Sequence, residues 1–504
     1  MNSLQNKHPK DKPQLFFAVV FFLLIAIMAV RLPFDTDFWW HLRAGQLTVE
    51  QAKPLLTDLS SYTRYGTPWL NHSWLSQAIF FITYSFTGYF GIMILVALLA
   101  TIGIFFIFRA LNGPVLLKSF VLILVVLISA VIWSPRPQIF TYLCFSILIY
   151  WFQKYIEDPK ISYFIKIMIL FIFWSNLHAG FSIGIAYIGL FEAGKLAEEL
   201  LNNQFSITSL KKHKWGFGLL VMAILVVCVN PNFIGVWTVQ FNTIGVQALQ
   251  NYISEWASPD FHILFQQPYL WVWIILVFFI ATTKKNLPLE RVFPLLFFGG
   301  LGFISRRNFA PFALVMAPVL IDLIGEFYRS RLKVNSYLQK IFSRSVLSKK
   351  EAGFKFRLVF NLSFVGFLAI VLIGKTYYLG HPIIMDAYES RLFPKNAISW
   401  LENHPEIHGN LLNSYTWGGY LSWKLPDRKI FIDGRTDLYG DEIISDWMIM
   451  VNGSPEWKVF MNKYNIEWTF LEPETVLLNE LKNSGWEELY SDSLVIIMEN
   501  NENK

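Results

Sequence analysis

Cysteine is nearly missing from this chain, charge is scarce, and no stretch repeats. The only two cysteines among 504 residues, Cys144 and Cys228, both lie in apolar runs. Neither a disulfide framework nor a thiolate metal site can therefore be argued from the sequence. Asp, Glu, Lys and Arg together make up 15% of the residues, against about 25% in ordinary soluble domains, which excludes a wholly soluble protein. The formal net charge of +6 is spread over loops between apolar runs, so it reads as membrane topology and not as a nucleic-acid surface. What the chain has in excess is apolar: 54% hydrophobic residues and 17% aromatic.

Those residues fall into long runs. With roughly 20 apolar residues needed to cross a bilayer, hydropathy gives about eleven transmembrane helices. They cover 15–31, 89–110, 115–133, 138–153, 161–176, 181–196, 215–230, 268–283, 292–305, 309–327 and 357–379. No small-residue cleavage pattern follows the first run, so an uncleaved helix is expected there. Lys and Arg gather in alternate loops: Lys7, Lys10 and Lys12; Lys211, Lys212 and Lys214; Lys284 and Lys285; and Arg329 through Lys349 and Lys350. The positive-inside rule then predicts an N-in, C-out orientation. The expected division is a cytoplasmic 1–14, a transmembrane module 15–382 and an extracytoplasmic 383–504.

That orientation puts two large pieces outside. One is the loop 34–88, with a helix expected over 39–51 and a surface-lying amphipathic helix over 73–86, whose Trp74, Ile79, Phe80 and Ile82 would dip into lipid. The other is the tail. Its strands, expected at 409–413, 429–433, 466–471 and 494–498, alternate with helices, which predicts a small α/β domain.

Polar residues cluster at the outer helix ends. Asp35-Thr36-Asp37 and His41 and Arg43 follow the first run; Arg136 sits between Pro135 and Pro137; His178 occupies a hairpin turn; Glu255 and Asp260 lie in the long fourth outer loop; Arg306 and Arg307 end another. Each has a plain structural reading: belt tryptophans wetting a membrane exit, a histidine bonded to backbone, capping acids, snorkelling arginines. Asp433, Arg435 and Asp437 read as salt bridges fixing a turn. Together, however, carboxylates and guanidiniums on one face suit chemistry on a lipid-linked phosphate. Arg donates a two-pronged fork to phosphate, and a carboxylate serves as general base or binds a divalent cation.

The acidic first outer loop, the surface helix within it, the multi-span body and the outer α/β tail resemble the GT-C superfamily of membrane glycosyltransferases. That group includes protein O-mannosyltransferases and the aminoarabinose transferases of lipid A. A closer resemblance is to largely uncharacterised bacterial membrane proteins sharing Asp-x-Asp-x-Trp-Trp-His-Leu-x-x-Gly-Gln, Pro-Trp-x-x-x-x-Trp-Leu-Ser and Asp-Gly-Arg-x-Asp-x-Tyr, here 35–46, 68–76 and 433–439. The resemblance implies a polytopic helical membrane protein that moves a sugar from a polyprenyl-phosphate or diphosphate donor to a lipid, glycan or protein acceptor, with inversion, at the outer face of the cytoplasmic membrane. It implies Asp37 or Asp35 as catalytic base or as ligand of a divalent cation. Substrate-binding candidates are His41, Arg43, Arg136, His178, Glu255, Asp260, Arg306 and Arg307. Two rival functions stay open: a transporter or flippase, and a non-catalytic scaffold of the same shape. The predicted spans are nearly charge-free at their centres, whereas transporters place polar sites near the midplane.

Overall fold

The computed structural model describes residues 11–202, 213–239, 255–283, 286–332 and 354–500. The basic stretches at Lys7 and Lys10, Lys211 and Lys212, Lys284 and Lys285, and Lys349 and Lys350 lie outside these residues.

Every apolar run read from the sequence is helical. In chain order the helices are α1 (Asp11–Ala29), α2 (Phe38–Glu50), α3 (Trp74–Ala110), α4 (Val115–Ser129), α5 (Gln138–Glu157), α6 (Ile161–Leu177), α7 (Phe181–Leu201), α8 (Lys214–Val226), α9 (Gln267–Thr282), α10 (Leu289–Ile304), α11 (Phe309–Phe327) and α12 (Phe354–Leu379). Six helical stretches among the described residues are long and apolar enough to cross a membrane, with three shorter apolar helices beside them. The innermost is the stretch containing α11, with 72% of its apolar window buried; α12 has 6%. Polar backbone is satisfied within each helix, which is what a lipid environment demands.

The surface helix and the second predicted span form one element, α3, broken at Gly88. Its backbone there has φ +59° and ψ −152°, a region that essentially only glycine enters. Before the break, three of the four residues expected in lipid are at least partly covered by protein. Phe80 is fully buried between Phe38 and Phe140, and the Trp74 indole donates to Asn176 at 2.9 Å. Of the four residues expected in lipid, only Ile82 is exposed. The reason is α2, which lies on this helix: a Cβ at Gly45 would come 2.1 Å from the Gln77 carbonyl oxygen, so the absence of a side chain lets the two backbones close.

The tail comprises α13 (Pro382–Leu392), α14 (Lys395–Glu402), β1 (Asn410–Asn413), α15 (Tyr415–Lys424), α16 (Thr436–Val451), α17 (Trp457–Lys463), β2 (Ile466–Leu471), α18 (Leu477–Asn483), β3 (Glu487–Ser491) and β4 (Ile496–Glu499). The sheet order is β1-β2-β4-β3, with β1 parallel to β2 and the other pairs antiparallel. The strand expected at 429–433 is not one. Its hydrogen bonds go elsewhere: Phe431 N and the Ile432 carbonyl bond the Asn413 side chain at 2.8 Å each, and Ile430 bonds the first outer loop at Ser60 and Tyr62. With its backbone groups met there, the segment has none left for a ladder. The edge strand β3 escaped the sequence reading because Glu487-Glu488-Leu489-Tyr490-Ser491 lacks an apolar alternation.

The tail therefore rests on the 34–88 loop. Trp39 is fully buried, not a belt residue, and its ring lies edge-on to Tyr420 at 4.8 Å and to Phe393 at 5.2 Å.

Candidate active site

α1 ends at Ala29, and Pro33 lies in the short extended link to α2. Asp37 is the N-cap of α2, the position where Asp ordinarily accepts a bond from an amide of the first turn. Its side chain makes no capping bond. It turns instead to Arg136, whose Nη1 lies 3.1 Å from its Oδ2. Asp35 is more fully engaged: Oδ1 accepts from Arg136 Nε at 2.6 Å and from the Asp37 amide at 3.0 Å.

Arg136 is delivered by a stiff turn. The Pro135-Arg136-Pro137 sequence precedes α5, with the Arg136 amide donating to the Ser134 carbonyl at 2.8 Å. Its Nη1 also donates to Glu255 Oε1 at 2.8 Å. One guanidinium thus faces three carboxylates from distant parts of the chain. Burial would lower the Arg136 pKa, but Asp37, Asp35 and Glu255 outweigh it and raise it.

Asp37 keeps 25% of its side chain exposed, Asp35 12%. Burial pushes the Asp37 carboxyl up to about 6, with Asp35 and Glu255 adding to the push against Arg136 and the Trp40 indole. A carboxylate with an open edge and a pKa near neutrality is suited to taking a proton.

Beyond this cluster lie three imidazoles. His41 is buried on α2, with its Nδ1 3.4 Å from Gln77 Nε2. Burial first, then Arg136, His72 and His178, hold its pKa well below the ordinary value. His178 Nδ1 accepts from the Gly180 amide at 3.1 Å and contacts Thr141 Oγ1 at 2.8 Å, so the ring proton belongs on Nε2. Its pKa is lowered by burial, His72 and Arg307. The His178 ring faces His72 at 5.7 Å. His72 was not singled out in the sequence, although it lies inside the 68–76 motif; its own pKa is lowered chiefly by burial, with Asp437 opposing.

Arg307 lies over the Trp256 ring at 4.5 Å, within electrostatic reach of Glu255, Arg136 and Asp37. It makes no ion pair among the described residues. Arg306 is anchored through its amide to the Ala257 carbonyl at 3.3 Å, and its Nε is buried without a hydrogen-bond partner. Two candidates stand apart. Arg43 donates to Gln46 at 2.8 Å and its electrostatic neighbours are Glu50 and Asp427. Asp260 builds a turn, accepting from the His262 amide at 2.9 Å and donating its own amide to Gln266 at 2.8 Å.

The arrangement does not fit the divalent cation expected at Asp35 and Asp37. The guanidinium of Arg136 already stands between the carboxylates as their counter-charge. Among the described residues no group of three or more His, Cys, Asp or Glu side chains is placed to hold a metal ion.

No protein-family model matches the chain, and no curated protein matches it in sequence. Solved structures do. The chain is similar to an archaeal oligosaccharyltransferase, AglB of Archaeoglobus fulgidus, solved with an inhibitory peptide and a dolichol-phosphate: TM-score 0.56, 11% identity, covering 92% of this chain and 70% of that one. The apo form of the Archaeoglobus fulgidus oligosaccharyltransferase gives a TM-score of 0.53 at 11% identity, over 93% and 70%. ArnT from Cupriavidus metallidurans, solved with undecaprenyl phosphate, gives 0.50 at 11% identity over 97% of this chain and 98% of that one. At 11% identity these likenesses show the fold: this chain has the fold of the oligosaccharyltransferase and of ArnT, in keeping with the architecture that the sequence resemblance implied.

Proposed function

We propose that the chain transfers a sugar from a polyprenyl-phosphate or diphosphate donor to a hydroxyl on a lipid, glycan or protein acceptor. The observation that carries this reading is Asp37: an N-cap acid that makes no cap and instead stands partly exposed 3.1 Å from a guanidinium, where burial raises its pKa. The solved neighbours hold dolichol-phosphate and undecaprenyl phosphate, and the same donor class is carried over here as part of the proposal. The site would face outward from the cytoplasmic membrane, with the N-terminus inside, an odd number of spans near eleven, and the tail outside.

In this mechanism Asp37 takes the acceptor's hydroxyl proton as the oxygen attacks the anomeric carbon. The carbon–oxygen bond to the lipid phosphate breaks, and the phosphate leaves with the electron pair from the opposite face, inverting the centre. Asp35 is the less available of the two, because Arg136 and the Asp37 amide both donate to its Oδ1. Arg136 holds the acids in place and is already matched by them. Arg307, with no acid bound to it among the described residues, is the better partner for the leaving phosphate. Neutral His178 serves as an N–H donor and not as a cation. Aiming charge at a developing phosphate in a partly dry cleft is the largest contribution such a site makes.

The test is direct. The purified protein in lipid is given polyprenyl-phosphate sugars and release of the lipid phosphate is followed. Wild type turns over, and Asp37→Asn loses about 100-fold or more. Turnover that survives both Asp37→Asn and Asp35→Asn removes the proposed base. Flux across vesicles without sugar release assigns the chain to transport instead.

A further inference from the structure

The tail touches the acid cluster itself. A Cβ built on Gly434 would lie 2.1 Å from Asp37 Oδ1 and 2.8 Å from the Trp40 indole nitrogen. No side chain fits there, so the backbone of the tail forms the wall against which the Asp37 carboxylate rests. Two glycines at the start of α15 make that approach geometrically feasible. A Cβ on Gly418 would meet the Ile432 carbonyl oxygen at 1.9 Å, and one on Gly419 the Trp40 amide and the Thr36 carbonyl at 3.1 and 3.2 Å. α15 is thus a thin spacer, with the 432–434 loop on one side and the Asp37 turn on the other.

The wall is also pinned. Arg435 donates to Asp433 from Nε at 2.9 Å and Nη2 at 2.8 Å, and to Asp58 from Nη1 at 2.7 Å. Asp58 belongs to the first outer loop, and its other oxygen accepts from the Ser61 amide and hydroxyl. Asp58 and Asp433 are fully buried and Arg435 is 3% exposed. The residues on either side of Gly434 are therefore fixed to the same loop that presents Asp37.

We infer that Gly434, held by the Asp433–Arg435–Asp58 ion triad, is a positioning residue for Asp37, so that the outer domain forms one wall of the reaction centre and is not an appendage to it. This rests on the transferase reading for its consequence in turnover, but its geometry can be tested without any substrate.

The full-length protein is labelled with 5-fluorotryptophan, and the Trp40 resonance is assigned by its loss in Trp40→Phe. Besides Asp37, the charged or titratable groups facing this point are Asp35, Arg136, Glu255, Arg307, Tyr415 and His41, with Asp433 and Arg435 on either side of Gly434. In wild type the Trp40 signal is expected to titrate with a midpoint that disappears in Asp37→Asn. In Gly434→Ala the added methyl displaces the carboxylate and the midpoint moves; in Gly218→Ala, where a methyl meets nothing within 4 Å, it stays. In transfer assays Gly434→Ala lowers kcat by about 100-fold with KM for the donor unchanged, the size expected for a ~1 Å misplacement. An unmoved midpoint in Gly434→Ala overturns the inference while leaving the transferase reading intact. A moved midpoint in a protein that transfers no sugar does the reverse.

If Gly434→Ala does not fold, a crosslink decides. The ideal Cβ of Gly419 lies 3.4 Å from the Trp40 Cβ, close to the 3.5–4.5 Å of a disulfide. With Cys144→Ala and Cys228→Ser as background, Trp40→Cys paired with Gly419→Cys should oxidise to near completion in the lipid-embedded protein. Failure to crosslink overturns the seating of the tail on the Asp37 turn, and with it the wall at Gly434.

Discussion

Two guanidinium–carboxylate clusters each draw acids from the 34–88 loop, Asp35 and Asp37 to Arg136 and Asp58 to Arg435, and they are built to opposite rules. Around Arg435 one cation meets two acids, Asp58 and Asp433, and every member is at most 3% exposed. Around Arg136 one cation meets three acids, and Asp37 and Glu255 keep 25% and 40% of their side chains open. The sealed cluster divides between its acids: Arg435 and Ser61 overcome burial and hold Asp58 below the usual carboxylate range, whereas burial keeps Asp433 above it despite Arg435. The open cluster has three acids to one cation, and burial, with Asp35 and Glu255 adding to it against Arg136, pushes the Asp37 carboxyl up to about 6. A closed ion group fixes a shape, whereas an open and over-acidic one keeps a proton available for exchange.

The largest test of that contrast is Asp37→Asn, expected to reduce turnover by about 100- to 10,000-fold without lowering stability. Asp37 binds its proton more tightly folded than unfolded, so ionising it between pH about 4 and about 6 costs the folded state, and the amide removes that cost. Melting at pH 7.5 therefore stays level or rises while activity is lost; a matched fall in both would make Asp37 structural. Next is Arg435→Met, which strands two buried acids and should cost about 3–5 kcal/mol, seen as a lower melting temperature and rapid proteolysis of the tail. Arg136→Met should cost less stability, because water and a proton can reach its acids, yet abolish turnover. Equal melting losses for the two variants would erase the distinction between the clusters. The smallest effect concerns pH. Wild-type turnover should fall about tenfold per unit below the Asp37 pKa, as the base takes up its proton. Asp35→Asn should move that limb to lower pH, and Glu255→Gln should move it less, since each removes a like charge and Asp35 pushes harder. A limb that ignores both changes belongs to another group.

Much of the architecture was legible because apolar run length and glycine–proline punctuation are local signals. All eleven predicted stretches are helical, and the α/β tail has most of its expected elements. The surface helix was found but its burial was misjudged: hydrophobic spacing reveals an apolar face and not which neighbour covers it, and Phe80 is covered by Phe38 and Phe140. The 429–433 segment looked like a strand because it is apolar, but Asn413, eighteen residues earlier, takes its hydrogen bonds. At the site, Asp35, Asp37, Arg136 and Glu255 were each visible as odd polar residues at outer helix ends. That one guanidinium would gather three of them across |i−j| separations of 101 and 119 was not. Neither was the part played by Gly434, since a glycine announces freedom of backbone without naming what comes close to it.

α12, the helix that leads into the tail, has only 6% of its apolar window buried; Lys375 ties it to the body by a bond to the Ile27 carbonyl at 2.7 Å. A tether so loosely held cannot dictate how its cargo is oriented. The bearing of the tail comes from what it rests on: Trp39 against Tyr420, the Asp37 turn against Gly434, and Asp58 against Arg435.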